Sequence, residues 1–336
     1  MLQQTMQFDT EDGQPLVMTR WRPYPLGRKT LVPIVLLPGL GQNRYTWHLS
    51  RVSMVNFLVD RGMDVFVPEL RGHGLSRMAG SKAPRAFSDY VFKDMPAIIK
   101  TVIERAGHSK MFFCGHSLGG TIGYALDPEL DKFIRGYIFI GGPSHFGKGL
   151  DLLRVASRMI DGSLVDTVEP SEGKAPKVAT PFPVDLIGRG MRAGLKILNS
   201  PVNFLPYKLW YPGSIEEHDL KERVLLGFDR TSTAVVKLMV IWASRGRFLD
   251  EAGTDLFEQN LKVKKAPALF ITGDRDEVVP EGAMRPAFKM ISSRDKTWKE
   301  FNMRENGVHW GHIDLIVGKR APYEVWPFIA DWIAAR

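Results

Sequence analysis

Phe112-Phe-Cys-Gly115-His-Ser117-Leu-Gly119-Gly120 is a short apolar run that breaks into G-x-S-x-G-G and continues into Thr121-Ile-Gly-Tyr-Ala-Leu126, a stretch able to run on as a helix. A strand, a turn too tight for side chains at its flanks and then a helix make the pattern of a nucleophile elbow, in which strained backbone holds the serine hydroxyl out for attack. The bare five-residue motif arises by chance in roughly one chain in ten of this length. The strand before Ser117 and the helix after it are what give the motif weight.

Similar apolar runs flank this one. Val32-Pro-Ile-Val-Leu-Leu ends at Pro38-Gly39, and residues 63–67 and 133–140 are alike, each short and nearly continuous as expected of strands buried on both faces of a parallel sheet. Between them the apolar residues recur at helical spacing, as at Val91, Met95, Ile98, Ile99, Val102 and Ile103. The chain opens with residues 3–8 and 16–21 around the turn dipeptide Asp12-Gly13, an expected antiparallel hairpin. Strand alternating with helix predicts an α/β fold with a doubly wound, mostly parallel sheet.

The alternation stops after Gly141-Gly142 and resumes at Ala266-Pro-Ala-Leu-Phe-Ile-Thr-Gly273, followed by a helix near 283–291, a strand at 296–301 and a last helix from Ala321. Residues 143–265 are too long for an ordinary crossover. We read residues 1–142 and 266–336 as two parts of one core and 143–265 as a helical cap or lid. Within it, 166–183 is a Pro/Gly/Ser/Thr-rich loop and 232–242 a strongly apolar helix.

Lys plus Arg number 45 against 37 Asp plus Glu, for a formal charge of +8. The cations are scattered, without a long Lys/Arg run, zinc-finger spacing or an RNP-like aromatic signature, so nucleic acid is not an expected partner. A lone cysteine, Cys114, excludes an intramolecular disulfide. Residues 1–10 do not read as a secretory leader and no stretch reaches about 18 apolar residues. The expectation is a soluble, cytoplasmic protein.

A serine hydroxyl near neutral pH needs a base, and the base needs a third group to orient it. Acids belong at the carboxyl ends of parallel strands, where such sheets build their sites. The run that resumes at Ala266 ends in Gly273-Asp274-Arg275-Asp276-Glu277-Val278-Val279-Pro280, and Asp276 is our choice there, with Asp274 and Glu277 as alternatives. The base must come from the loop after the last strand, which offers His309 and His312. His312 is preferred because it follows Gly311, which lets the loop bend, and lies within reach of the last helix. These two histidines form H-x-x-H without a nearby third ligand, so no metal is expected. His73 and His116 read as packed or hydrogen-bonded supports. Two amides should face the oxyanion of a tetrahedral intermediate, that of Leu118 at the helix N-terminus and that of Leu40 in the Pro38-Gly39-Leu40-Gly41 turn.

With these residues in hand, the sequence resembles the α/β-hydrolase superfamily along most of its length outside 143–265. Leu36-Leu-Pro-Gly-Leu-Gly-Gln-Asn-Arg is similar to its oxyanion turn, Glu69-Leu-Arg-Gly-His-Gly-Leu-Ser to the loop after the next strand, and residues 115–120 to its elbow. Pro38 stands where many members carry His. The stretch 273–280 is similar to the family's G-x-x-D-x-x-V-P turn, which points to Asp276, and Gly311-His-Ile-Asp-Leu-Ile to the histidine loop of acid lipases, which points to His312. The resemblance implies carboxylic ester hydrolysis by Ser117, Asp276 and His312 with no cofactor, on a small-molecule or lipid ester. An acyltransferase or thioesterase would use the same triad. A non-catalytic binding protein is disfavoured because all three positions are filled.

Residues 143–265 bear on the substrate. Val184, Ile187, Met191, Leu195 and Leu198 share one helical face, and Arg189, Arg192 and Lys196 another. Such a helix either packs on the body as a lid or makes peripheral contact with an anionic membrane surface. Phe204, Tyr207, Trp210, Tyr211 and Trp242 either line an apolar acyl pocket or belong to the core.

Overall fold

Successive residues of a strand face opposite sides of its sheet, so a run such as Ile34-Val-Leu-Leu37 is stable only where both sides are covered. The computed structural model, which describes residues 1–24, 32–145, 181–200 and 208–336, has this arrangement. Its strands are β1 (Leu2–Asp9), β2 (Pro15–Arg22), β3 (Ile34–Leu37), β4 (Val65–Glu69), β5 (Met111–His116), β6 (Ile134–Ile140), β7 (Pro181–Phe182), β8 (Thr231–Ser232), β9 (Ala268–Gly273) and β10 (Lys296–Phe301). Eight of the described strands form one sheet in the order β1-β2-β4-β3-β5-β6-β9-β10. Within this sheet only the β1/β2 and β2/β4 pairings are antiparallel.

Period-two alternation sorts the core into two layers. Val35, Leu37, Phe113, Tyr137, Phe139 and Phe270 pack on one side with Ile98, Ile99 and Ile122. Ile34, Leu36, Phe112, Cys114, Ile138, Ile140, Leu269 and Ile271 pack on the other with Leu58 and Ile329. Helices therefore cover both faces, as the doubly wound expectation requires. The expected strand at 63–67 starts two residues later. Asp64 is drawn into a buried pair with Arg20, whose Nε donates to Oδ1 at 2.8 Å, and its carbonyl accepts the Ile34 amide.

β6 and β9 are neighbours in the sheet, and the chain between them adds the ribbon β7/β8 and the helices Val184–Leu198, Glu217–Leu226, Thr233–Arg245 and Leu256–Lys262. In the first of these helices Val184 and Leu195 are buried, Met191 and Leu198 are half-buried, and Arg189, Arg192 and Lys196 are exposed. The apolar stripe is thus spent on the body of the protein, although Leu186 and Ile197 remain exposed. Trp210 and Trp242 are buried, and their indole N–H groups donate to Asn199 Oδ1 and the Leu249 carbonyl, so both belong to the core. Phe204, Tyr207 and the loop at 166–180 lie outside the described residues.

The helix Leu256–Lys262 supports the elbow directly. Asn260 Nδ2 and, just beyond the helix, Lys264 Nζ donate at 2.9 Å to the carbonyls of Ala125 and Leu126, where the helix after Ser117 ends with unpaired acceptors. Burial pushes the Lys264 ammonium down to about 8. Among the described residues no helix is long and apolar enough to cross a membrane.

Candidate active site

Ser117 has φ 54° and ψ −122°, and it is the one non-glycine among the described residues with positive φ. Such a backbone costs on the order of 1–3 kcal/mol and persists only where its surroundings enforce it. Here the enforcement is steric. A Cβ on Gly115 would fall 2.5 Å from the Gly119 carbonyl carbon, and one on Gly119 would fall 2.4 Å from the Leu37 carbonyl oxygen. The Ser117 amide donates to the Ile140 carbonyl at 2.9 Å, pinning the turn to the end of β6.

His312 and Asp276 meet, as the sequence led us to expect. His312 Nδ1 lies 2.8 Å from Asp276 Oδ2, with the side chains 3% and 0% exposed. The other carboxylate oxygen of Asp276 accepts the amides of Val278 and Val279 at 3.0 and 2.7 Å. An ionised carboxylate only accepts, so Nδ1 carries the proton and Nε2 is left as the basic nitrogen.

Ser117 is tied to this pair through two neighbours. His116 Nε2 lies 3.2 Å from the His312 carbonyl, to which it donates, and the two imidazole rings are 4.6 Å apart. Burial holds the His116 pKa well below its ordinary value, so its ring is a neutral support. Gly141, at the end of β6, has φ 53°, and a Cβ there would come within 3.0 Å of His312 Nδ1 and 3.2 Å of Asp276 Oδ2. Nothing in the sequence beyond a Gly-Gly pair after a buried strand marked this position. His73 is engaged with its own loop, its Nδ1 donating to the Arg71 carbonyl at 2.9 Å.

The turn expected to supply an oxyanion amide also reaches Ser117. A Cβ on Gly39 would sit 3.0 Å from the serine Cβ, and Leu40 follows it. Gly41 comes next with φ 58°, its carbonyl accepting the Asp229 amide at 2.7 Å. Leu118 is the first residue of the helix Leu118–Ala125.

The competing residues are engaged elsewhere. Asp274 Oδ2 lies 2.6 Å from His309 Nδ1, and its Oδ1 accepts the Trp310 amide at 2.9 Å. Glu277 accepts the Lys208 amide at 3.1 Å. Gly311 serves differently from expected. Its φ is not positive, and a Cβ there would fall 2.6 Å from the Tyr211 nitrogen, so close packing rather than bending requires glycine. Asp314, which the sequence did not single out, closes this corner, its Oδ2 accepting the amides of Gly311 and Tyr211 at 2.6 and 2.9 Å. Of the described residues, His218, Asp219 and Glu222 place three ligand atoms within 4.8 Å of one another, but Glu222 already accepts the Ser50 amide and hydroxyl.

A strained serine after the central strand, a buried acid after β9 and a histidine after β10 converge at the carboxyl edge of the sheet. The chain has the alpha/beta hydrolase fold. The sequence profile of that fold family matches residues 32–159. Over its whole length the chain superposes on the monoacylglycerol lipase of Paleococcus ferrophilus with a TM-score of 0.56 at 18% identity, covering 99% of that chain. It is 30% identical over 151 residues to human lysosomal acid lipase/cholesteryl ester hydrolase, a match covering 40% of this chain and 37% of the human protein. A poly(3-hydroxyalkanoate) polymerase subunit of Haloferax mediterranei is 22% identical over 333 residues, 91% of this chain and 59% of that one. The chain thus spans less than two thirds of the length of these curated relatives. In an alpha/beta hydrolase fold the loops at this sheet edge are where chemistry is expected, while the fold alone leaves the reaction open.

Proposed function

We propose that the protein is a carboxylic ester hydrolase acting on esters with an apolar acyl chain, through an acyl-enzyme on Ser117. The observation that carries this reading is the sealed His312–Asp276 pair beside a strained serine. His312 Nε2 takes the hydroxyl proton as Ser117 attacks the carbonyl, and the oxyanion is held by the amides of Leu40 and Leu118. His312 then protonates the departing alcohol, and water, activated by the same imidazole, releases the acid. Asp276 keeps the proton on Nδ1 and stabilises the imidazolium that forms.

Ser117→Ala tests this reading. It should abolish release of p-nitrophenol from short and medium acyl esters and labelling by a fluorophosphonate, and a wild-type protein that does neither would sink the proposal. The similarity to a polymerase subunit along 91% of the chain supports acyl transfer as a second reading. Transfer to an added alcohol or amine exceeding hydrolysis would select it.

The segment between β6 and β9 acts in this proposal as a lid. Leu186 and Ile197, eleven positions apart on its helix Val184–Leu198, share the outer face with Arg189 and are flanked by Arg192 and Lys196, which suits peripheral contact with an anionic membrane surface. Activity on long-chain esters should then rise with anionic vesicles, and indifference to vesicles counts against the contact.

A further inference from the structure

Among the described residues, Arg223 is a buried cation without a carboxylate beside it. It lies on the helix Glu217–Leu226, 1% exposed, and its Nη1 is buried with no hydrogen-bond partner. Its guanidinium carbon stands 5.7 Å from the centre of the Phe228 ring. Burying an unpaired charge is costly, and helix geometry alone does not call for one here. What Arg223 does contact is informative. Its Nη2 donates to Thr46 Oγ1 at 3.2 Å, and Thr46 Oγ1 lies 3.1 Å from Gln42 Oε1. Gln42 Oε1 in turn lies 3.2 Å from where a Cβ on Gly39 would sit, the point that is 3.0 Å from the Cβ of Ser117. The buried cation is thereby linked through Thr46 to the Gln42 carboxamide, whose oxygen lies beside the space between Gly39 and Ser117.

The direction of this chain follows from the chemistry of its members. Guanidinium has no acceptor, so Thr46 must accept from it, and the single hydroxyl hydrogen of Thr46 is left for an acceptor. That acceptor is the carbonyl oxygen of the Gln42 carboxamide. Its NH2 group, with two donors, is thereby turned away from Thr46. An amide that could otherwise flip is held in one orientation, and the Arg223 charge polarises the whole chain in the sense that strengthens its last donor. The field of Arg223 also extends to His116, next to the nucleophile, where it opposes protonation.

We propose that Gln42 is a further donor to the acyl group bound at Ser117, and that Thr46 and Arg223 are the positioning residues that fix and polarise it. This rests on Ser117 being the nucleophile. Because Arg223 belongs to the segment between β6 and β9, and because the Gln42 backbone bridges to Phe228, the donor is set only while that segment is docked on the core.

Thr46→Val tests the proposal, since it keeps the shape of a buried side chain and removes the hydroxyl, with Thr46→Ser as the rescue. On a p-nitrophenyl ester, Thr46→Val should lower kcat roughly tenfold with KM little changed, less than the hundred- to thousandfold loss of a principal oxyanion donor. Its affinity for a trifluoromethyl ketone, which forms a tetrahedral adduct, should fall in parallel, and Thr46→Ser should restore both. If Thr46→Val does not fold, Gln42→Met, at a half-buried position, should give the same kcat and ketone losses. Wild-type kcat in a folded Thr46→Val or Gln42→Met overturns the relay and leaves the Ser117 reading standing, as does a Thr46→Ser that loses as much as the valine. A wild-type protein inert to esters and to fluorophosphonate overturns both.

Discussion

His312 Nδ1 and Asp276 Oδ2 stand 2.8 Å apart in a pair almost wholly shut off from solvent. The contact fixes the tautomer, because the carboxylate can only accept. Asp276→Asn puts a carboxamide in its place, which can donate to Nδ1 and so leave the proton on Nε2, facing the serine. We expect kcat for a p-nitrophenyl ester to fall by roughly 10⁴-fold with little change in melting temperature. Activity within tenfold of wild type would mean that another acid orients the base.

A second histidine–aspartate pair lies close by in sequence, His309 with Asp274 at 2.6 Å, but the two side chains are 22% and 18% exposed and Asp274 also accepts the Trp310 amide. Its work is to fasten the histidine loop to the end of β9. His309→Ala should keep esterase activity within a few-fold while lowering stability by about 1.5–3 kcal/mol, the usual scale for a hydrogen bond to a charged group. Urea unfolding beside a kinetic assay separates the two effects. Abolished activity in a folded His309→Ala protein would move the role of base away from His312.

Strain at the elbow gives a prediction of opposite sign for stability and activity. Ser117 holds φ 54°, a conformation that glycine adopts freely. Ser117→Gly should be inactive yet more stable than wild type by about 1 kcal/mol. Gly115→Ala should be destabilised by about 3 kcal/mol, since its Cβ would press into the Gly119 backbone at 2.5 Å. Thermal melts of the two variants check both. A Ser117→Gly protein less stable than wild type would show that the serine side chain contributes more to the fold than its backbone costs.

These residues differ in how visible they are in the sequence, and the difference is physical. Gly115 is crowded by the Gly119 backbone across the turn that holds Ser117, so that part of the constraint is written in the local pattern, whereas Gly119 makes room for the Leu37 carbonyl of β3. The central strands were legible because burial on both faces leaves continuous apolar runs, and Asp276 because it follows such a strand, whereas β10 before His312 is only half-buried and the histidine was found from the loop that follows it. Gly141, Asp314 and Arg223 answer to partners brought in by the tertiary fold. Gly141 is crowded by His312 and Asp276, Asp314 holds the Tyr211 amide, and Arg223 reaches Thr46. No spacing rule connects such residues. The apolar stripe of the helix Val184–Leu198 was legible as a stripe, but whether it faces the body or a lipid surface depends on where the helix sits.

Asp314 makes the stability of this corner depend on pH. Burial raises its pKa to about 7 against the pull of the Tyr211 and Gly311 amides, with the charge of Asp276 adding to the rise. A folded-state pKa above the unfolded carboxyl value of 3.8 means that the folded protein binds more protons between pH 4 and 7. The stabilisation is therefore complete below about pH 4. It is lost as pH rises through 7, by up to about 4 kcal/mol for this group alone. Asp314→Asn keeps the shape and an oxygen to accept the two amides, and cannot ionise. Relative to wild type it should lose little at pH 5 and gain stability at pH 8, so the difference between the two melting temperatures should change steadily across that interval. A difference that stays constant from pH 5 to 8 would mean that Asp314 is already ionised in the folded protein at the lower pH, its charge held by the two amides that close the histidine loop.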